Sequence, residues 1–208
     1  TNTFFSGSKL NWLIENNSEI NSKIEREEIC FGTIETYLIY RLTDLESFVT
    51  DTTNASRTLL FNCLNNEWDE ELLSIFDIKN IQFPKIKKSS DLFGESDFEG
   101  SFNKRIPIIG VAGDAQASFF ANSCFKKGDT KITTGTGFNI QTNIGEKLLL
   151  DDKSFTSLAF TNKQNTYALE CLGSFAGGTI SWVKNNLQLI KSVNESEKFS
   201  MEVESSNG

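Results

Sequence analysis

Three groups of residues in this 208-residue chain are of types and spacings that could do chemistry. The first is Asp114, in the stretch GVAGDAQASFF, where a lone carboxylate stands between a glycine and a run of small residues. The preceding Arg105–Val111 (RIPIIGV) reads as a buried strand, and Ala115–Phe125 reads as the helix that follows. Asp114 therefore falls at a strand-to-helix corner. An aspartate there can simply cap the helix. The same corner is where open α/β sheets place ligands, and a carboxylate at that point can take a proton from a substrate hydroxyl.

The second group is Gly135-Thr136-Gly137, inside DTKITTGTGFNIQTNIG (129–145). Two runs of β-type residues flank the glycines, so the segment reads as a hairpin with a tight turn. Glycines let backbone N–H groups face an anion closely, and the threonine hydroxyl adds a donor. A plain hairpin turn uses the same residues, and neither a P-loop nor a dinucleotide-binding glycine pattern occurs. The third group follows a predicted strand, Thr166–Leu172, in GSFAGGTISWVKNNL (173–187), a glycine-rich entry into a helix. Gly177 and Gly178 there permit close approach of a planar ligand, or close helix packing. A hydroxyl-activating carboxylate with a phosphate cradle is the minimum kit for phosphoryl transfer.

The elements that must position these groups are less regular. Residues 8–29 carry apolar side chains near helical spacing and read as two short helices joined near Asn16 and Asn17. Thr33 is a candidate N-cap for a helix reaching about Arg41, and Glu67–Phe76 reads as an amphipathic helix with acidic residues in its first turn. Phe48–Asn62, rich in Ser, Thr, Asn and Asp, reads as a polar loop leading into a turn. The stretch after Pro84, up to Lys104, reads as an irregular surface loop.

Composition narrows the classes. With 38% hydrophobic and 12% aromatic residues the chain can bury a sizeable core. A formal charge of −8, without a basic cluster, argues against a nucleic-acid partner. No apolar run approaches the roughly 20 residues of a membrane span. Cys30, Cys63, Cys124 and Cys171 form no CxxC pair and read as reduced, buried thiols of a cytoplasmic protein. Zero histidines remove Ser-His-Asp and Cys-His chemistry from this stretch and leave carboxylates as the acid-base groups. A first residue that is not methionine, and a polar end (SEKFSMEVESSNG), suggest a piece of a longer protein.

The order FFSGSKLNW, FGTIETYLIYRLT, TDTTNASRTLLFN, WDEELL, RIPIIGVAGDAQASFF, TTGTGFNIQTNIGEK and YALECLGSFAGGTISW resembles the FGGY carbohydrate kinases. The spacing is nearly uninterrupted from Phe4 to about Trp182 and on to Asn207. The resemblance implies an α/β, actin-like (ribonuclease H-like) fold with parts of two domains, 1–127 on the polyol side and 128–208 on the nucleotide side. It implies ATP-dependent phosphorylation of glycerol or a similar polyol, with Mg2+ as cofactor and a homo-oligomer as the working form. Under it Asp114 is the catalytic base, while Gly135, Thr136, Gly177 and Ser181 fall at nucleotide-contacting positions. Phe4, Asp114, Ala115 and Asn139 fall at polyol-contacting positions.

Three of these depart from the family's pattern. Phe4 stands for a tyrosine, Ala115 for a glutamine and Asn139 for an aromatic residue, for which neighbouring Phe138 is a substitute. Ser181 likewise stands where a glutamine is common. Each lost buried hydrogen bond would cost about 1–3 kcal/mol. The departures open two alternatives, a kinase for another polyol or sugar and a catalytically weak nucleotide-binding relative. Arg105 matches an arginine of an inhibitory sugar-bisphosphate site, although the glycine-rich loop that accompanies it is here EGSFNK. The first phosphate loop and an arginine-glutamate pair on glycerol would precede Thr1, and the adenosine motif would follow Gly208, so this stretch by itself is expected to be inactive.

Overall fold

A computed structural model of the chain describes residues 4–150 and 154–205. The predicted pair of short helices is present as α1 (Ser6–Asn16) and α2 (Ser18–Glu25), with Asn17 between them accepting from the backbone N–H groups of Glu19 and Ile20. Helix α3 (Ile34–Leu42) follows Thr33, which occupies the N-cap position. Its hydroxyl bonds Glu35 at 2.5 Å rather than the helix backbone.

The polar stretch 48–62 is more than a loop leading into a turn. It forms β1 (Val49–Asp51), the short helix α4 (Thr52–Ala55) and β2 (Phe61–Asn62), and Thr50, Asp51, Thr52, Thr53 and Thr58 are all buried. Burial is tolerated because the side chains bond one another and the backbone: Asp51 caps α4 by accepting from Thr53 and Asn54 N–H. Strand β2 pairs antiparallel with β3 (Glu67–Trp68), so the acidic helix begins later than its pattern suggests, as α5 (Glu70–Ile75) capped by Asp69.

The stretch after Pro84 is also more ordered than expected. Strand β4 (Lys85–Lys87) lies parallel to β1, with Thr50 opposite Ile86. Strand β5 (Gly94–Ser96) pairs with β6 (Ile106–Ile108), and Phe93 between the pairs is fully buried against Ile39 and Val49. A single phenylalanine among polar residues gives no period to read, which is why the sequence hides these strands. The strand expected at 105–111 shrinks to β6 and is half-buried, with Ile109 exposed.

Helix α6 (Asp114–Ala121) leads to the antiparallel sheet β7 (Thr130–Thr134), β8 (Phe138–Gly145), β10 (Asn165–Gly173) and β9 (Phe155–Thr161), in that spatial order. The chain continues through α7 (Gly177–Trp182), a wide π-type turn (Val183–Leu187) and α8 (Asn194–Met201). The sheet is packed on the earlier elements: Leu158 and Tyr167 share a core with Ala55 and Phe61, and Ala159 and Ala168 share one with Phe119 and Cys124.

Polar bonds cross the same seam. Thr52 bonds Thr161 at 3.0 Å, the Tyr167 hydroxyl donates to the Cys63 carbonyl at 2.8 Å, and Asn143 donates to the Cys124 carbonyl at 2.9 Å. At its centre the Glu170 carboxylate, 1% exposed, accepts from Arg57 Nη1 at 3.1 Å, from Ser157 at 2.5 Å and from Gln141 Nε2 at 3.3 Å.

Two expectations follow. Arg57→Met removes the cation from a buried carboxylate and should destabilise the chain by about 3 kcal/mol, measured by urea unfolding. The cysteines divide as well: Cys30 and Cys171 are exposed, contrary to the sequence reading, whereas Cys124 is buried and burial pushes the Cys63 thiol up to about 11. Native labelling with iodoacetamide at pH 8 should therefore modify Cys30 and Cys171, and reach Cys63 and Cys124 after denaturation. Because the folded thiol of Cys63 is raised from 9.0, its stabilising contribution is complete below pH 9.0 and is lost as the pH rises through about 11.

Candidate functional site

Asp114 is the first residue of α6 and is exposed. It is not the cap: that position belongs to Gly113, and the Asp114 Oδ1 accepts from the next N–H, that of Ala115, at 2.7 Å. The carboxylate has no cation partner among the described residues, which leaves it open to a ligand. The helix behind it is fixed by Phe119, which is fully buried under β9 and β10. Ala115 is half-buried, and its carbonyl accepts from Lys131 Nζ of β7 at 3.4 Å. Lys131 also bonds Gln141 at 3.2 Å, so a line of contacts runs from the first turn of α6 through Gln141 to Glu170 and Arg57.

The predicted hairpin is present, with Gly135-Thr136-Gly137 between β7 and β8 and Thr134 opposite Phe138. Its glycines act differently from a simple row of anion donors. The Gly135 N–H is spent on the Gly137 carbonyl at 2.8 Å. The start of α7 docks on the turn through the backbone: Ala176 and Gly178 N–H donate to the Thr136 carbonyl at 2.7 and 3.0 Å, and Gly177 N–H donates to the Gly135 carbonyl at 3.0 Å. A Cβ on Gly177 would lie 2.8 Å from the Gly135 oxygen, and one on Gly137 would lie 2.4 Å from the Gly173 oxygen. Close backbone approach is therefore the reason for glycine at both positions. The Thr136 hydroxyl is exposed and makes no bond to any described residue, so it remains available to a phosphate oxygen.

Gly135, Thr136, Gly177 and Ser181 line one open depression of about 570 Å3, so all four predicted nucleotide positions come together. Ser181 leans on the Gly177 carbonyl at 3.5 Å. Trp182, the last residue of α7, and Asn185 and Asn186 of the π-type turn share the wall, and no local signal in the sequence marks a π-type turn there. Asn139 lines a neighbouring depression of about 400 Å3 with Gly135 and Gly173, and its Oδ1 is buried without a hydrogen-bond partner. Phe138 lines the same depression, with its ring packed over Gly173. Phe4 is exposed and lies against Arg57, whose guanidinium carbon is 5.7 Å from the ring centre. Phe4 thus precedes α1, Asp114 opens α6 and Asn139 lies on β8. Arg105 is held by Asp44 at 2.6 Å, with Glu46 at 3.9 Å, so two carboxylates already face it.

The chain thus combines an α/β fold, a carboxylate that opens a helix and a glycine turn locked to the start of another. Residues 1–121 match the FGGY family of carbohydrate kinases, N-terminal domain, and the chain belongs to that family. A glycerol kinase of Sinorhizobium fredii is 43% identical over 190 residues, which are 90% of this chain and 38% of the relative. One from Salmonella arizonae is 38% identical over 207 residues, covering 99% of this chain and 41% of its own length. The crystal structure of Plasmodium falciparum glycerol kinase with ADP superposes with a TM-score of 0.90 at 36% identity, over 98% of this chain and 41% of that one. A xylulose kinase from Rhodospirillum rubrum, 15% identical over 97% of this chain and 41% of its own, shares the fold at a TM-score of 0.80. The chain spans about two fifths of the length of the curated glycerol kinases it matches.

Gly137→Ala should break the lock between hairpin and β10, because the new methyl meets a carbonyl rather than a flexible side chain. A loss of several degrees in Tm, with weaker nucleotide-induced thermal protection, is the expected result.

Proposed function

We propose that this chain supplies the catalytic carboxylate and one wall of the nucleotide site of a glycerol kinase, which transfers the γ-phosphoryl group of ATP to give glycerol 3-phosphate. The observation that carries the reading is the open Asp114 carboxylate on the first turn of α6, in a chain whose backbone matches an ADP-bound glycerol kinase at a TM-score of 0.90. In this reading Asp114 accepts the proton of the attacking hydroxyl while the new oxygen–phosphorus bond forms and ADP departs. Thr136 and the Gly135–Gly137 turn face the phosphates, and Gly177 and Ser181 line the remainder of the nucleotide wall. Mg2+ would accompany the ATP phosphates and would supply neutralisation of their charge during transfer.

Residues 1–127 then belong to the polyol-side domain and 128–208 to the nucleotide-side domain. The whole protein is cytoplasmic and homo-oligomeric in this reading, with no nucleic-acid partner. Among the described residues no helix is long and apolar enough to cross a membrane. The Arg105 position is proposed to contribute little to phosphate binding, because Asp44 and Glu46 occupy it.

A second reading is favoured by the unpartnered Asn139 Oδ1 and by Phe4 and Ala115, which lack the hydroxyl and amide of the family's pattern. It is a kinase of the same family for another polyol or sugar, whose additional hydroxyl would donate to Asn139. Coupled ADP formation by the full-length enzyme with Mg-ATP, glycerol, longer polyols and ketopentoses separates the two. Turnover of glycerol that Asp114→Asn reduces at least a thousandfold supports the first reading. Preference for a larger substrate supports the second, and bound nucleotide without turnover on any substrate overturns both. The 208-residue stretch alone should show no glycerol-dependent ADP formation.

A further inference from the structure

The buried carboxylate of Asp51 has no place in the chemistry described so far. It is fully buried, and its ligands are all neutral donors. Oδ2 accepts from the Thr53 N–H at 3.0 Å, the Thr53 hydroxyl at 2.7 Å and the Ser89 hydroxyl at 2.8 Å. Oδ1 accepts from the Asn54 N–H at 3.0 Å and the Asn54 side-chain amide at 2.7 Å. Capping the four-residue helix α4 needs two of these bonds. The other three organise something else.

Two of the donors grip the segment that leads into Asp114. Having given its proton to Asp51, the Thr53 hydroxyl presents lone pairs to the Gly113 N–H, 2.9 Å away. Ser89, fixed to Asp51 by its side chain, accepts the Val111 N–H on its carbonyl at 3.0 Å. Val111 to Gly113 therefore hangs from Asp51 at two points, and Asp114 is the next residue. Ser89 also accepts the Thr161 N–H of β9 at 3.5 Å, which ties the same carboxylate to the sheet that carries the glycine hairpin. A carboxylate in these positions accepts from every donor, whereas an amide would turn an N–H toward at least one of them.

We propose that Asp51 is a positioning residue that sets the direction of Asp114 through Thr53 and Ser89. This rests on the reading of Asp114 as the base. Small displacements of a catalytic group from its working geometry are enough to slow phosphoryl transfer.

The test uses the full-length enzyme with Thr53→Val, which keeps the shape but removes the hydroxyl, and Thr53→Ser, which restores it. Thr53→Val should lower kcat at least tenfold with KM for ATP within twofold, and Thr53→Ser should recover kcat to within threefold of the parent. Hydrogen exchange read by mass spectrometry should be faster at 111–115 in Thr53→Val than in Thr53→Ser, at equal exchange in β8 and β10. A kcat unchanged in Thr53→Val, or equal exchange at 111–115, overturns the proposal. If Thr53→Val does not fold, Ser89→Ala takes its place with the same pattern of kcat and exchange. A parent without kinase activity would sink the functional reading alone, because the exchange measurement still decides whether Asp51 holds this segment.

Discussion

Glu170 is the constraint on which the arrangement depends. It sits mid-strand in β10, almost entirely out of water, and a carboxylate in that position has to be surrounded by donors. The donors come from four places: Arg57 just after α4, Ser157 on β9, Gln141 on β8 and, through Gln141, Lys131 on β7. Satisfying one charge thus draws all four strands of the sheet and the residues after α4 into one arrangement. The apolar contacts of Leu158 and Tyr167 with Ala55 and Phe61 supply most of the burial around it. The polar cluster fixes which way the two surfaces meet.

The same logic explains why the interior of the first half is built from threonines. Thr50 donates to Glu35 and Thr53 to Asp51, while Thr52 donates to Thr161 and Thr58 to the Ala55 carbonyl, so a larger apolar residue at any of these buried positions would leave an acceptor without its donor. Such a core is specified by directional bonds, and each hydroxyl has a defined acceptor.

That is also the boundary of what the sequence discloses. Helices α1 and α2 and the β7–β8 hairpin are legible because periodicity and glycine punctuation are local signals. Residues 48–62 read as a polar loop because Ser, Thr, Asn and Asp ordinarily favour loops and caps, and nothing local says that their partners arrive from Ser89 and β9. Likewise Phe93 and the short strands β4 and β5 owe their existence to distant pairing. The site divides in the same way. Asp114 and Thr136 are marked by their neighbours in sequence, whereas Asn185 and Asn186 reach the depression through a helical irregularity that composition does not reveal. The likeness to a kinase family gives candidate roles to residues whose local pattern reads only as turns and caps.

The docking of α7 on the glycine turn is made by main-chain atoms, with Ala176, Gly177 and Gly178 donating to the carbonyls of Gly135 and Thr136. A joint of that kind is indifferent to side-chain identity so long as the glycines remain. Change is therefore tolerated at wall positions outside the joint, such as Asn185 and Asn186, whereas Thr136 is packed into it, its Cγ2 lying only 3.1 Å from where a Cβ on Gly178 would stand.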